Sequence, residues 1–403
     1  MEKEKIREVI VEKKVGFSTL EVIIIIIVSI AFGAILGSVI SYRGDVKELE
    51  FDYGDLGEVV RTYKNLTNDY YEKVDKEKLT NGAIKGMIES LNDPYTVYID
   101  NEKAKVFNQR VNGEYYGIGA VVGKVDKKIV VVGVIKKSPA DEAGLKPGDE
   151  LLRIDDTVIT EKMDTTEVIN LIKSDTKVKT SIKVKRDGEE KEIIVEKTKI
   201  DIPSAGSETI DKDGKKIGYL DLSIFAANTY EQFKKELGNL EKKGITDLVI
   251  DVRNNPGGHL DQVSKILSTF IPKGDVIYQI KAKGKKNKAF SNNKKAKDYK
   301  IVVLVNGDSA SASEILAAGL KESANAKIVG TKTYGKGTVQ KAYSLASGAI
   351  VKYTYEEWLT PKGKSINKEG ITPDVSIELD KDYYKDPTME KDNQLQKALE
   401  ILK

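Results

Sequence analysis

Two short apolar runs, Leu248-Val249-Ile250 within Asp247–Val252 and Ile301-Val302-Val303-Leu304-Val305 after Lys300, constrain the fold of this 403-residue chain most tightly. Each is short, β-branched and almost continuously apolar, which predicts a strand buried on both faces. A third strand is expected over Lys216–Leu222, and the spacing of apolar residues predicts helices over Asn228–Lys242 and Leu260–Phe270. Strands alternating with helices imply parallel strands covered by helices, hence a mixed α/β core. Ligand sites in such sheets lie beyond the carboxyl ends of the strands. Two segments of unusual composition fall there, Arg253 to Gly258 and Asn306 to Ser313.

The preceding part of the chain reads differently. Leu56, Val59, Val60 and Tyr63, then Leu79, Ala83, Met87 and Leu91, recur at helical spacing, with Asp93-Pro94 ending the second helix. Tyr95–Ile99 leads into a further helical stretch around Glu102 to Val111. From Tyr115 to Thr198 short strands are expected over Ala120–Val122, Ile129–Val132, Leu151–Ile154 and Thr180–Val184, interrupted by a helix over Thr165–Lys173. The basic stretch Lys281 to Lys300 carries no aromatic ladder beyond Phe290 and Tyr299 and reads as an exposed loop. Asp392 to Leu402 forms an amphipathic helix suited either to packing on the core or to a homodimer contact.

Charge and composition exclude several function classes. Lys+Arg 66 against Asp+Glu 63 leaves a net charge of +3 with interspersed signs, so no nucleic-acid surface is expected. There is no cysteine and one histidine, His259, which rules out a Cys/His zinc site and a Cys-His nucleophile. The lack of cysteine also fits an exported bacterial protein that makes little use of disulfides. Val22 to Ile40 is apolar enough, and at ~1.5 Å per residue long enough, to cross a hydrocarbon layer of ~30 Å as one helix. Lys3, Lys5, Arg7, Lys13 and Lys14 precede it, which keeps the N-terminus cytoplasmic and everything after Ser41 outside. A competing reading of Lys13 to Glu21 is a processing site like that of type IV prepilins, with cleavage after Gly16.

The chemistry centres on a hydroxyl and an amine. Ser311 lies in Asp308-Ser309-Ala310-Ser311-Ala312-Ser313-Glu314, where a buried strand gives way to a helix whose N-terminus offers N–H groups to a developing oxyanion. Ser309, Ser311 and Ser313 compete for the nucleophile's role. Lys336, in Tyr334-Gly335-Lys336-Gly337-Thr338-Val339-Gln340, is the candidate base, provided that burial lowers its pKa. Gln340 is placed to orient the neutral amine. Asn254-Asn255-Pro256-Gly257-Gly258 forms a tight turn able to point an amide into the cleft. His259, directly after it, is expected to pack rather than catalyse.

These segments carry two resemblances. Tyr116-Gly117-Ile118-Gly119 looks like the carboxylate-binding loop of a PDZ domain, and Ser138 to Asp149 looks like the turn-rich segment of bacterial PDZ domains. Asp251 to Gly258, Ser309 to Ile315 and Tyr334 to Gln340 resemble the signature segments of the carboxyl-terminal processing peptidases, also called tail-specific proteases. The likeness extends to Gly82 to Met87, Asp93-Pro94-Tyr95, Leu359 to Gly363 and Gly370 to Asp374. The resemblance implies Ser311 as nucleophile, Lys336 as base, Gln340 as its support and the amides of Gly257 and Ala312 as the oxyanion hole. It implies a crotonase/Clp-like mixed-sheet protease core with an inserted PDZ domain, and no metal or other cofactor. The expected organisation is a cytoplasmic tail over 1–14, a transmembrane signal anchor over 15–41, and a helical region over 46–112. The PDZ domain is expected over 113–198, the protease core over 199–380 and a tail helix over 381–403. The function so implied is membrane-anchored, extracytoplasmic serine endopeptidase action on protein or peptide substrates with free C-termini. The PDZ domain would recognise the substrate C-terminus and gate activity. The alternative is a catalytically silent PDZ scaffold.

Overall fold

The computed structural model describes residues 54–173 and 178–403, together with Val22, Ile26, Val28, Ser29 and Ile30. Contacts divide the chain into two units, Met1–Gly82 and Ala83–Lys403. The first contains helix α1 (Gly57–Asp69) and the start of α2 (Lys76–Glu89), and neither helix has a buried residue. Among the described residues no helix is long and apolar enough to cross a membrane. The expected span over 15–41 and the prepilin-like site lie outside the described residues, save for five helical positions.

The second unit opens with β1 (Val97–Ile99) and α3 (Asn101–Asn112), the latter capped by the Asp100 side chain accepting from Lys103 N–H. Then follow β2 (Glu114–Gly117), β3 (Ala120–Val125), β4 (Lys128–Val134), α4 (Pro139–Glu142), β5 (Glu150–Ile154), β6 (Thr157–Val158) and α5 (Thr165–Lys173). The strands β7 (Lys179–Arg186), β8 (Glu189–Glu196) and β9 (Thr198–Asp201) complete this stretch. Strands β3, β4, β5, β7 and β8 form one antiparallel sheet, with β6 on β5. It has its own core, which includes Ile118, Ile129, Val131, Leu151, Val168, Ile182 and Val184. Strands β2 and β9 pair only with each other, so the sheet hangs on a two-stranded ribbon.

The remaining elements build the larger core. In chain order they are β10 (Ala205–Lys212), β11 (Lys215–Leu222), α6 (Thr229–Lys242), β12 (Asp247–Asp251), α7 (Leu260–Phe270), β13 (Val276–Ala282), β14 (Lys285–Phe290) and β15 (Lys300–Val305). After these come α8 (Ala312–Ser323), β16 (Lys327–Gly330), β17 (Thr338–Ser344), β18 (Ile350–Leu359), β19 (Val375–Ser376) and α9 (Asn393–Ile401). The central sheet runs β10-β11-β12-β15-β16-β19, parallel from β11 onward. Every residue of β12 is buried, as the two-faced apolar pattern requires. Leu237 and Leu240 of α6, Ile266 of α7 and Leu316 of α8 cover one face, and Leu395, Ala398 and Leu399 of α9 cover Ile217, Val249, Val302 and Leu304 on the other. The tail helix therefore packs on the core. A second sheet, β1-β18-β13-β14 with β17 also on β18, stands beside it.

One expectation is overturned. The basic stretch Lys281 to Lys300 is not a loop throughout, because its first part turns β13 into the edge strand β14, registered from Phe290 opposite Val276 to Lys285 opposite Ala282. Lysine on both faces of β14 erases the apolar alternation that reveals a strand, and the same lysines guard an exposed edge against further pairing.

Candidate active site

The two segments expected at the carboxyl ends of the strands meet. Asp251 of β12 lies opposite Leu304 of β15, so the turns that follow these strands leave side by side. Asn254 and Asn306 join them through two hydrogen bonds, Asn254 N–H to Asn306 Oδ1 at 2.9 Å and Asn306 Nδ2 to Asn254 Oδ1 at 2.7 Å. Ala310 N–H donates to Asn255 O at 3.0 Å. Gly257 comes so close that a Cβ there would stand 2.8 Å from Ala310 O and 2.9 Å from Ser311 Cβ, and its φ of 98° is one that a side chain resists. Glycine is thus required twice over.

The same contacts separate the three serines. Ser309 Oγ donates to Val252 O at 2.8 Å and accepts from Asn306 N–H, while Ser313 Oγ donates to Asn255 O at 2.8 Å. Both side chains are fully buried struts. Ser311 is half-buried and holds φ 56° and ψ −114° at the N-cap of α8, a conformation that stores about 1–3 kcal/mol of strain in a residue with a side chain. The next amide, Ala312 N–H, has no hydrogen-bond partner among the described residues and sits at the positive end of the helix. Gly257 N–H, by contrast, donates to Asn255 Oδ1 at 2.9 Å.

Lys336 is tied to this turn through Glu314, a residue whose role sequence reasoning missed. The Glu314 side chain is wholly buried and accepts four hydrogen bonds, at Oε1 from Thr333 Oγ1 (2.6 Å) and Gly335 N–H (2.8 Å) and at Oε2 from Ser311 N–H (2.8 Å) and Lys336 N–H (2.9 Å). Burial pushes its pKa up and these donors oppose the rise. Accepting at both oxygens is the behaviour of a carboxylate. One side chain therefore locks the backbone of the serine turn to that of the lysine loop. Trp358 Nε1 holds the Lys336 carbonyl at 2.9 Å, and Gly335, at φ 90°, lets the loop lie against Glu369 and Gly370.

The amine itself is differently placed. Burial lowers its pKa from the ordinary 10.5 to about 8, and the like charge of Lys352 assists, while Asp93 and Glu314 oppose. Lys336 Nζ lies 4.9 Å from the centre of the Tyr95 ring. Among the described residues it makes no hydrogen bond, to Ser311 or to Gln340. Gln340 Nε2 donates instead to Thr338 Oγ1 at 2.9 Å and Thr354 Oγ1 at 3.3 Å. His259 is occupied elsewhere, with Nε2 donating to Val111 O at 3.1 Å. Such a site can deprotonate a serine hydroxyl once the amine reaches it. No group of three or more metal-ligating side chains occurs among the described residues.

Tyr116 and Gly117, expected in a loop, instead close β2 opposite Lys199 and Thr198, and Ile118 and Gly119 alone lead into β3, the edge strand of the smaller sheet, alongside which α5 packs. Ile118 points into the core and Tyr116 is exposed. Ile118 O and Gly119 O are taken by Ala140 N–H and Ile135 N–H.

Comparison with known proteins agrees with this architecture. Residues 216–377 match the model of peptidase family S41, residues 130–186 that of a PDZ domain, and residues 39–103 that of the activating protease CtpB N-terminal domain. The chain is 41% identical over 332 residues to the carboxy-terminal processing protease CtpB of Bacillus subtilis (strain 168), which spans 82% of this chain and 69% of that protein. It is 37% identical over 361 residues to the carboxy-terminal processing protease CtpA of the same organism, spanning 89% and 75%. A crystal structure of a putative S41 protease from Bacteroides fragilis NCTC 9343 shares the fold, with a TM-score of 0.53 over 83% of this chain and 90% of that one at 17% identity. The chain thus belongs to the carboxy-terminal processing proteases of peptidase family S41 and is a serine-type peptidase with a PDZ domain.

Proposed function

We propose that this protein is a membrane-anchored, extracytoplasmic endopeptidase that cleaves exported proteins near their C-termini with a Ser311/Lys336 dyad. The observation that carries the reading is the contrast among the three serines. Two are committed to backbone carbonyls, while Ser311 occupies a strained turn beside a free helix-terminal amide. In this scheme neutral Lys336 takes the Ser311 proton as Oγ attacks a peptide carbonyl. The resulting ammonium then protonates the leaving amine, and water attacks the acyl-enzyme in turn. Ala312 N–H meets the oxyanion directly, and Gly257 N–H joins it by giving up Asn255 Oδ1. Gln340 supports the amine after leaving Thr354. The open edge of β3 takes the substrate's last residues as an added strand, with the Tyr116–Gly119 segment facing the terminal carboxylate. No cofactor is needed. The apolar run Val22 to Ile40 is the anchor, and the exposed positions Ile26, Val28 and Ile30 suit a lipid-facing helix.

Incubation of the purified protein with β-casein tests the dyad. Wild type should cleave it, and Ser311→Ala and Lys336→Ala should each reduce kcat/KM by about 10⁴-fold or more. Equal cleavage by all three would reject the mechanism, and loss in Ser311→Ala alone would reject Lys336 as base. Protease protection of intact cells checks the topology, since digestion of the catalytic part from the outside is expected.

A further inference from the structure

Lys336 faces a segment of chain from a distant part of the sequence. The turn that leads into β1 places Tyr95 under the amine and Asp93 at the centre of a polar relay. Asp93 Oδ1 accepts Tyr95 N–H at 3.0 Å and Oδ2 accepts Thr96 Oγ1 at 2.6 Å, and the Thr96 hydroxyl links this carboxyl to Thr354 of β18. Thr354 Oγ1 in turn accepts Gln340 Nε2 at 3.3 Å, and Thr354 N–H donates to Thr96 Oγ1 at 3.0 Å across 258 positions of sequence. Directly afterwards β1 pairs with β18, Val97 opposite Lys352.

An Asp-Pro-Tyr turn in any loop explains the bonds to Tyr95 and Thr96. It does not explain why Thr96, the carboxyl's partner, is pinned to the backbone of β18, nor why Thr354 there also holds the amide of Gln340. Resting on the Ser311/Lys336 reading, we infer that Asp93 is a positioning residue for Lys336: its carboxylate is the fixed counter-charge that draws the ammonium toward the Tyr95 side of the site, and its bond to Thr96, which also accepts from Thr354 N–H, sustains the relay that engages Gln340.

The groups around the amine support this assignment. Asp93 and Tyr95 face it from the turn before β1, Glu314 from α8 and Lys352 from β18, and Tyr334 of the lysine loop lies against Tyr95. Both carboxylates favour the ammonium and Lys352 disfavours it. Of the two carboxylates, Asp93 acts on the amine more strongly than Glu314 does. Burial pushes the Asp93 pKa up, but the nearby hydroxyls of Thr354 and Thr96, Tyr95 N–H and the Lys336 charge outweigh that effect and hold it below the ordinary value. Lys352, half-buried and 5.9 Å from the centre of the Phe107 ring, supplies the opposing charge.

The test compares wild type, Asp93→Asn and Lys352→Met as full chains. Asparagine keeps an oxygen acceptor for Tyr95 N–H, removes the charge and turns the acceptor that meets Thr96 into a donor, whose partner hydroxyl can accept in its place. The ¹³Cε resonance of Lys336, assigned by its loss in Lys336→Arg, reports protonation, and the pH dependence of β-casein cleavage reports its use. Asp93→Asn should move both the titration midpoint and the acid limb to lower pH by about one unit, and Lys352→Met should move both to higher pH. An unchanged midpoint in Asp93→Asn overturns the inference, even if cleavage falls equally at every pH, because that result describes a purely structural turn. Retention of cleavage by Lys336→Ala instead overturns the dyad reading, and the resonance still decides the position of Asp93.

Discussion

The backbone around Ser311 and the amine of Lys336 are built on opposite principles. Around the serine, Ser309, Ser313, Asn255, Asn306 and Glu314 each spend their polar atoms on fixing one turn. The lysine backbone is equally well held, by Glu314 and Trp358, yet among the described residues its Nζ ends without a hydrogen bond and rests over Tyr95. The difference shows where precision resides before substrate arrives. A strained φ survives only where neighbours over-determine it, whereas an amine that must change partners during a reaction gains from being left uncommitted.

Four experiments press on this contrast, and the largest effect is expected where the two halves join. Glu314→Ala strands the N–H groups of Ser311, Gly335 and Lys336 and should cost about 3–5 kcal/mol in denaturant unfolding, together with most of the activity. A loss under 1 kcal/mol would mean that the turn does not depend on its carboxylate. Ser309→Ala and Ser313→Ala should each cost about 1–2 kcal/mol while keeping cleavage within several-fold of wild type, as struts should. Ser311→Gly should do the reverse, raising stability by about 1 kcal/mol through relief of the positive φ while abolishing cleavage. The smallest effect belongs to the amine. Its folded pKa of about 8 lies below the ordinary 10.5, so between these values the unfolded chain holds a proton that the folded chain has released. Unfolding free energy should therefore climb with pH across that window, and Lys336→Met should flatten the slope. A slope that persists in the variant would assign the effect to another group.

Legibility in the sequence followed the reach of the forces involved. The helices at Thr165–Lys173 and Leu260–Phe270 and the strand at Lys300–Val305 have the very bounds that periodicity suggests, because each is set by residues within one turn or one strand. Strands β8 and β14 escaped notice, since glutamate and lysine crowd both faces of these edges. The long bent strand β18 was missed as well, because its middle residues are only half-buried and alternate weakly. At the site, the serine turn, the glycine turn and the lysine loop were visible as local compositions. Nothing local, however, shows that Glu314 bridges two of them or that Thr96, beside Asp93, reaches β18, because those bonds span 22 and 258 positions. Likewise the choice among three serines needs the carbonyls of Val252 and Asn255, which only the folded chain brings near.

The ribbon of β2 and β9 has a mechanical consequence. Two hydrogen-bonded strands flex easily out of their plane and stiffly within it, since in-plane bending must stretch or shear the ladder. The ribbon is clamped at its root, where Gly113 O receives Ile202 N–H and Asn228 Nδ2, and Asn228 Nδ2 also reaches Asp201. Two positions before Gly113, the carbonyl of Val111 is gripped by His259, which adjoins the Gly257-Gly258 turn. Any tilt of the smaller sheet would pivot at this root, and the hydrogen bond from the chain's one histidine to Val111 O joins that root to the segment carrying the Gly257-Gly258 turn.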